Sequence, residues 1–300
     1  MVEFSVVVIS QNEESNIRHC IEAAVRVSDD VWLVDSFSTD KTQEIADKLG
    51  ANVVEHEFES WGAQRNYALD NLRLKHEFIL FLDADEQIDA AFADELVEKI
   101  KSSQYAAFNV NFDIVFLGKV LKHSHENPPV LRVIRSNAGR WVSEGAREYC
   151  IVKGPIGRIK ARIRHEDRKG MFFWLVKHIR NADREARAIL GKNKQLKLAD
   201  VPQNAHFERP FRVFLRRIYN WLPKTIKPFL IFIYRYFVRL GFLDGYPGLV
   251  FCLLQAFWYN LIIDARIFEI PLGYDNYLPG YGGNNDCTKQ SSIPAECKTP

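Results

Sequence analysis

Disulfide chemistry has little to work with in this sequence. Its 300 residues hold five cysteines, Cys20, Cys150, Cys252, Cys287 and Cys297. The number is odd and no C-x-x-C pair occurs, which argues against a disulfide scaffold or a zinc ribbon and for reduced thiols. A basic, apolar leader is also missing. "MVEFSVVVIS" enters a strand pattern at once, so no signal peptide is expected. Neither sign of charge dominates: the formal net charge is +2, and nucleic acid is not an expected partner. Long apolar runs are scarce. Tyr246 to Ile263 is free of charge but only 18 residues long, the lower limit for a spanning helix, and it contains Pro247, Gln255 and Asn260. No internal repeat is found. Apolar residues at 47% and charged residues at 26% exclude a disordered chain and allow a substantial core.

What is present first is alternation of strand and helix. Phe4 to Ile9 is a β-branched apolar run, the mark of a strand buried on both faces. Ile17, Ile21 and Val25 recur at helical spacing. Val31 to Val34 is a second strand, and "SFSTDKTQEIADKLG" a short helix closed by Gly50. "ANVVEHEF" reads as a third strand, Ala63 to Leu74 as a helix and Phe78 to Leu82 as a fourth strand. This order predicts a parallel α/β sheet with right-handed crossovers, whose ligands bind outside the carboxyl ends of the strands. Residues 105 to 164 break into short alternating runs, read as antiparallel additions to that sheet. Residues 170 to 200 return to helix.

The strand ends carry carboxylates. "FILFLDADEQI" delivers Asp83 and Asp85 to the end of a buried strand. Hard oxygen ligands at that spot suit Mg2+ or Mn2+ beside a diphosphate; the plainer alternative is a turn and cap before the helix near Ala90. Asp35 ends the second strand ahead of a Ser/Thr-rich loop, where it can accept hydrogen bonds from a base or ribose. Asp40 reads as a helix cap.

Towards the C-terminus charge and apolarity mix. Residues 209 to 243 hold Arg209, Arg212, Arg216, Arg217, Lys224, Lys227, Arg235 and Arg239 and no acidic residue. Arg212 and Arg216 share one helical side, with Phe211, Phe214, Ile218 and Trp221 on the other, while Pro223 and Pro228 divide the run. This is the pattern of helices lying in an anionic membrane surface. Three regions are expected: a catalytic domain over 1–168, a helical membrane-interface region over 169–270 and a flexible tail over 271–300.

Five stretches in order, "VVVISQNEE", "VDSFSTDKT", "WGAQRNYAL", "FLDADEQI" and "GFLDGYPGLVFCLLQAFWYNLIIDARIFE", resemble glycosyltransferase family 2, and more narrowly its lipopolysaccharide-core glucosyltransferase-like branch. The resemblance runs from residue 4 to about 270. It implies a GT-A fold, a Rossmann-like and mostly parallel sheet with antiparallel additions. It also implies a nucleotide-diphospho-sugar donor, a divalent cation and inversion at the anomeric carbon. By it Gln11, Asn12 and Glu13 line the uridine pocket, Asp35 binds the base, and Arg65 faces the diphosphate. Asp83 contacts the ribose or the metal, and Asp85 binds the metal. His165 resembles a family histidine that ligates the metal or touches the diphosphate, and His123 and His125 sit where acceptor loops often lie. A general base must take the acceptor's proton. The branch has a His-Glu pair where "WVSEGAREYC" has Arg147-Glu148, so Glu148 is the first choice and Glu144 the second.

By the resemblance, the implied reaction moves one sugar from a UDP-hexose to a lipid-anchored glycan such as lipopolysaccharide core, on the cytoplasmic face of the membrane. The processive Q-x-x-R-W signature is absent, in line with a single transfer. Transfer to polyprenyl phosphate, and a non-catalytic membrane-surface scaffold, are the alternatives. A D-x-D-x-T/V phosphatase is excluded by Gln87.

Overall fold

The computed structural model describes residues 3–101, 104–144, 147–192 and 226–274. Strand β1 (Phe4–Ser10) is buried along its whole length and sets the layering. Its side chains alternate between faces. Phe4, Val6 and Val8 pack with Ile17, Cys20 and Ile21 of helix α1 (Ile17–Val25) and with Phe92 and Leu96 of α4 (Ala90–Lys101). Val7 and Ile9 meet Ala68 of α3 (Trp61–Asn71) and Trp141 on the opposite face. Helix α2 (Thr42–Lys48) joins the first layer through Ala46, and Gly50 follows it with φ +92°, a left-handed turn that glycine adopts without strain.

The main sheet runs β3 (Asn52–Glu55), β2 (Val31–Asp35), β1, β4 (Phe78–Asp83), β8 (Val130–Arg135), β6 (Ala107–Phe116), β11 (Ile156–His165) and β5 (Glu86–Gln87). The first four are parallel, as expected. Strand β8 runs antiparallel to both β4 and β6, and β7 (Lys119–Val120) pairs antiparallel with the end of β6. One expectation needs correction: β11, read as antiparallel, pairs parallel with β6 and only its last two residues pair antiparallel, with β5. Alternating polarity reports a half-exposed face, not a strand direction. A separate hairpin, β9 (Gly139–Glu144) with β10 (Arg147–Val152), rests on α3: Asn66 Nδ2 donates to the carbonyl of Trp141, and the Trp141 amide donates back to Asn66 Oδ1. Helix α3 begins and ends a little earlier than its expected span, because the Ser60 hydroxyl caps it by accepting from the Ala63 amide.

After the sheet, α5 (Met171–Lys192) crosses to a set of C-terminal helices. These are α6 (Lys227–Ile233) with a π turn over Tyr234–Val238, a 3-10 turn at Gly241–Asp244, α7 (Gly245–Phe251), a π stretch over Cys252–Trp258 and α8 (Tyr259–Glu269). Ile263 and Ile267 pack on Ala182 and Ala186 of α5, and Arg266 bonds Asp183 at 2.6 Å. Asp244 fastens this unit to the sheet: its carboxylate accepts from the amides of Lys122, His123 and Ser124 at 2.8–3.1 Å and from the Ser124 hydroxyl at 2.7 Å. Gly248 is obligatory beside it, since a Cβ there would lie 2.4 Å from the Gly241 carbonyl oxygen. The span Gly241–Leu272, 32 residues with an 18-residue stretch of mean hydropathy 1.5, is long and apolar enough to cross a membrane by length and composition. The basic pattern from Arg209 to Lys224 and the tail with Cys287 and Cys297 lie outside the described residues.

Candidate active site

Register assembles the site. Ser10 of β1 lies opposite Asp35 of β2, and Ile9 lies opposite Asp83 of β4, so two carboxylates flank the end of β1. Asp35 is fully buried. It accepts from the hydroxyl of Ser10 at 2.6 Å, the amide and hydroxyl of Ser38 at 2.7 and 2.6 Å, and Gln43 Nε2 at 2.8 Å. All its lone-pair directions are thereby engaged, and its visible work is to fix the loop after β2.

The loop after β1 is stitched to the loop after β2. Gln11 donates to the Ser36 carbonyl at 3.1 Å, the Asn12 amide to the Ser38 hydroxyl at 2.7 Å and the Glu13 amide to the Thr42 hydroxyl at 2.7 Å. Asn12 has φ 53°, a conformation asparagine tolerates better than most residues. Gln11 and Asn12 stay exposed at the rim, whereas Glu13 accepts from Lys169 at 2.5 Å and Asn16 at 2.8 Å. Burial raises the Glu13 pKa in spite of Lys169.

Asp83 is held by two guanidiniums, Arg65 at 2.9 Å and Arg132 at 2.6 Å. Arg132 also bonds Glu86 at 2.5 Å, and Glu86 accepts from the Asp83 amide at 3.0 Å. Burial alone would raise the Asp83 pKa; Arg132 and Arg65 outweigh it and hold the carboxyl below its usual range. Glu86, 1% exposed, is pushed up to about 7 by burial despite Arg132. Arg65, expected to face a diphosphate, is itself buried against Asp83.

Asp85 sits one step further out. The pairing of His165 with Glu86 at the β11–β5 edge brings His165 Nε2 to 3.1 Å from Asp85 Oδ2, and Lys177 of α5 approaches the same oxygen at 3.9 Å. Burial disfavours both charges, yet Asp85 raises the His165 pKa to about 9, and His165 with Lys177 lowers that of Asp85. Asp85 and His165 are therefore neighbours, as expected. Among the described residues no group of three or more His, Cys, Asp or Glu side chains could hold a metal. An oxygen and a nitrogen donor do fit a cation that takes its remaining ligands from phosphate and water, as Mg2+ characteristically does.

Asp85, His165 and Lys177 line the inner end of a cleft of about 430 Å3 between the sheet and the C-terminal helices. His125, Trp174, His178, Phe251 and Gln255 line the rest. His125 Nδ1 and Gln255 Oε1 are buried there without a hydrogen-bond partner. Trp174 stacks on His178 with ring centroids 3.5 Å apart. Glu144 and Glu148 belong to the β9–β10 hairpin, where Glu144 pairs with Arg147 and Glu148 with Ser143; their side chains lie outside the description. His123 lends only its amide, to Asp244.

Sequence reasoning missed Glu86, Arg132 and Lys177. For Arg132 a signal existed. A lone arginine inside the apolar run "PPVLRVIR" asks for a buried carboxylate partner. Lys177 had no such sign among the lysines and arginines of its helix.

Residues 5–152 match the model of the family described as glycosyl transferase family 2. An uncharacterized glycosyltransferase of Rickettsia bellii is 35% identical over 117 residues, which is 38% of this chain and 39% of the relative. One of Rickettsia felis is 33% identical over 119 residues, 38% and 41% of the two chains. This chain thus spans about two fifths of the length of these relatives. Among solved structures, S. aureus TarS 1–349 in complex with UDP-GlcNAc is 16% identical, with 90% of this chain and 92% of that one covered at a TM-score of 0.46. The strands and loops that gather Asp35, Asp83 and Asp85 thus lie within the stretch, residues 5–152, that matches glycosyl transferase family 2.

Proposed function

We propose that the chain is an inverting, metal-dependent glycosyltransferase. It moves one sugar from a nucleotide-diphospho-sugar, a UDP-hexose, to a lipid-anchored glycan of the cell envelope, of the lipopolysaccharide-core kind. The observation that carries the reading is the convergence at the end of β4 of Asp83 and Asp85, from the segment that matches this family, with His165, which follows it. The rim of Gln11 and Asn12, with the loop anchored on Asp35, receives the base. Arg65 and Arg132 fix Asp83 in its ionised form toward the ribose. Asp85 and His165 would hold Mg2+ or Mn2+, which as a Lewis acid offsets charge on the leaving diphosphate. His165 must give up its proton to ligate, so acidic solution weakens loading. Glu148, or failing it Glu144, takes the proton of the attacking acceptor hydroxyl.

An apolar edge supports the membrane part of the reading. Phe229, Phe237, Val238, Leu243 and Tyr246 are exposed on α6, its π turn, the 3-10 turn and the start of α7, with Val238 at 66% and Tyr246 at 72%. Arg239 lies among them, and side chains of this mix favour the surface of an anionic leaflet. The packing of α8 on α5 supports helices lying on the cytoplasmic face over a lone helix crossing it.

The test is thermal shift with a panel of nucleotide sugars, with and without Mn2+, on the wild-type chain and Asp85→Ala. A UDP-sugar is expected to raise the melting temperature only with the metal, and Asp85→Ala to lose that shift while melting cooperatively. A shift that needs no metal, or that survives in Asp85→Ala, removes the metal assignment. No shift with any nucleotide sugar removes the donor.

A further inference from the structure

The two lysines near the carboxylate cluster differ in one respect. Lys169 is committed: its ammonium bonds Glu13 at 2.5 Å and its side chain is 10% exposed. The Lys177 ammonium lies 3.9 Å from Asp85 and 4.0 Å from Asp167, too far for a hydrogen bond to either, and its side chain is 42% exposed. It lines the cleft beside Asp85 and His165. Asp85 and Asp167 both face its ammonium. Two carboxylates thus hold a cation in place by Coulomb attraction alone and leave its three N–H donors free.

We propose that Lys177 is a ligand of the donor's terminal phosphate, delivered to the family domain from outside it by helix α5. The proposal rests on the nucleotide-sugar reading and extends it to a residue beyond the matched segment. A compact, rotatable point charge suits a phosphate oxygen whose charge grows as the sugar leaves. A cation on Asp85 would leave Asp167 as the one carboxylate still holding Lys177, and the ammonium's N–H donors would then be shared with the diphosphate. The same argument sets its limits. With the nucleoside assigned to the rim of Gln11 and Asn12 and Lys177 to the terminal phosphate, the proposal makes Lys177 the group that tells a diphosphate from a monophosphate.

Calorimetric titration of the full chain with UDP, UMP and uridine, all with Mn2+, tests this in the wild type, Lys177→Met and Lys177→Arg. The methionine variant is expected to lose roughly tenfold or more in UDP affinity, the scale of one hydrogen bond to a charged group. It should bind UMP and uridine as before and melt at the wild-type temperature. The arginine variant should recover most of the preference for UDP. A methionine variant that keeps the full preference for UDP over UMP overturns the proposal, as does an equal weakening toward all three ligands with a lowered melting temperature. A wild type that binds none of the three overturns the donor reading itself, which separates that failure from the failure of Lys177.

Discussion

At Glu148 the reaction narrows to one proton. The backbone puts this residue on a hairpin that Asn66 and Trp141 tie to α3, on the same sheet face as Arg65. Glu148→Gln is expected to keep donor binding and lower turnover by ~10²-fold or more, the usual scale for a general base. Loss in Glu144→Gln with full activity in Glu148→Gln assigns the base to Glu144 instead. His125 makes a second prediction. Burial, reinforced by Arg235 and His165, lowers its pKa from 6.5 to about 4. Between those values the unfolded chain holds more protons than the folded one, so stability falls as pH drops from about 6.5 and the loss is complete near pH 4. It amounts to about 3 kcal/mol. His125→Asn should flatten that part of the melting-temperature profile relative to wild type; an unchanged slope would mean that His125 is free to take its proton. How much could be read beforehand divides at this scale. Asp35, Asp83 and Asp85 were legible because each ends an apolar run, and strand ends converge in a parallel sheet. Their pairing with Arg132 and Lys177 was not, because these two come from elements that meet the carboxylates only in three dimensions.

Among the elements, the 3-10 turn at Gly241–Asp244 decides whether the helical unit and the sheet stay together. Asp244 lies within "GFLDGYPG", a stretch legible as a motif but not as a clasp, since its partners, residues 122–124, lie far upstream and offer three backbone amides and one hydroxyl. Asp244→Ala leaves three amides near the 122–124 bend without their acceptor. The expected loss is about 2–4 kcal/mol, at the scale of several bonds to a charged group. Asp244→Asn, which keeps one acceptor oxygen, should lose less. Chemical denaturation measures both, and limited proteolysis should cut the alanine variant near residue 240 first. Equal stability of the two variants would show that the carboxylate's charge, not its acceptor geometry, does the fastening. The direction of β11 belongs to this scale too. Its alternation was legible and its parallel partner β6 was not, because strand direction depends on the path of the intervening chain.

For the molecule as a whole, the apolar edge predicts association with lipid. The wild-type chain should float with anionic liposomes and be released in high salt, while Phe237→Ser with Leu243→Ser should stay in solution and retain UDP binding. Flotation of the double variant at wild-type levels would move the contact away from this edge. The buried position of Arg132 has another consequence, in the order of events during synthesis. It comes from β8, the strand that also joins β6 and β11 to the first half of the sheet. A nascent chain that ends at residue 125 has already made Asp83 and Glu86 but not their shared guanidinium. Asp83 keeps Arg65, but burying Glu86 then leaves it without its guanidinium, at a cost of about 3–5 kcal/mol, comparable to the whole stability of many domains. Such a chain should hold its sheet open and be cut readily by protease on the ribosome, whereas one that ends at residue 168 should resist. The cation that later steadies the site is thus also the latch whose arrival commits the first hundred residues to their native form.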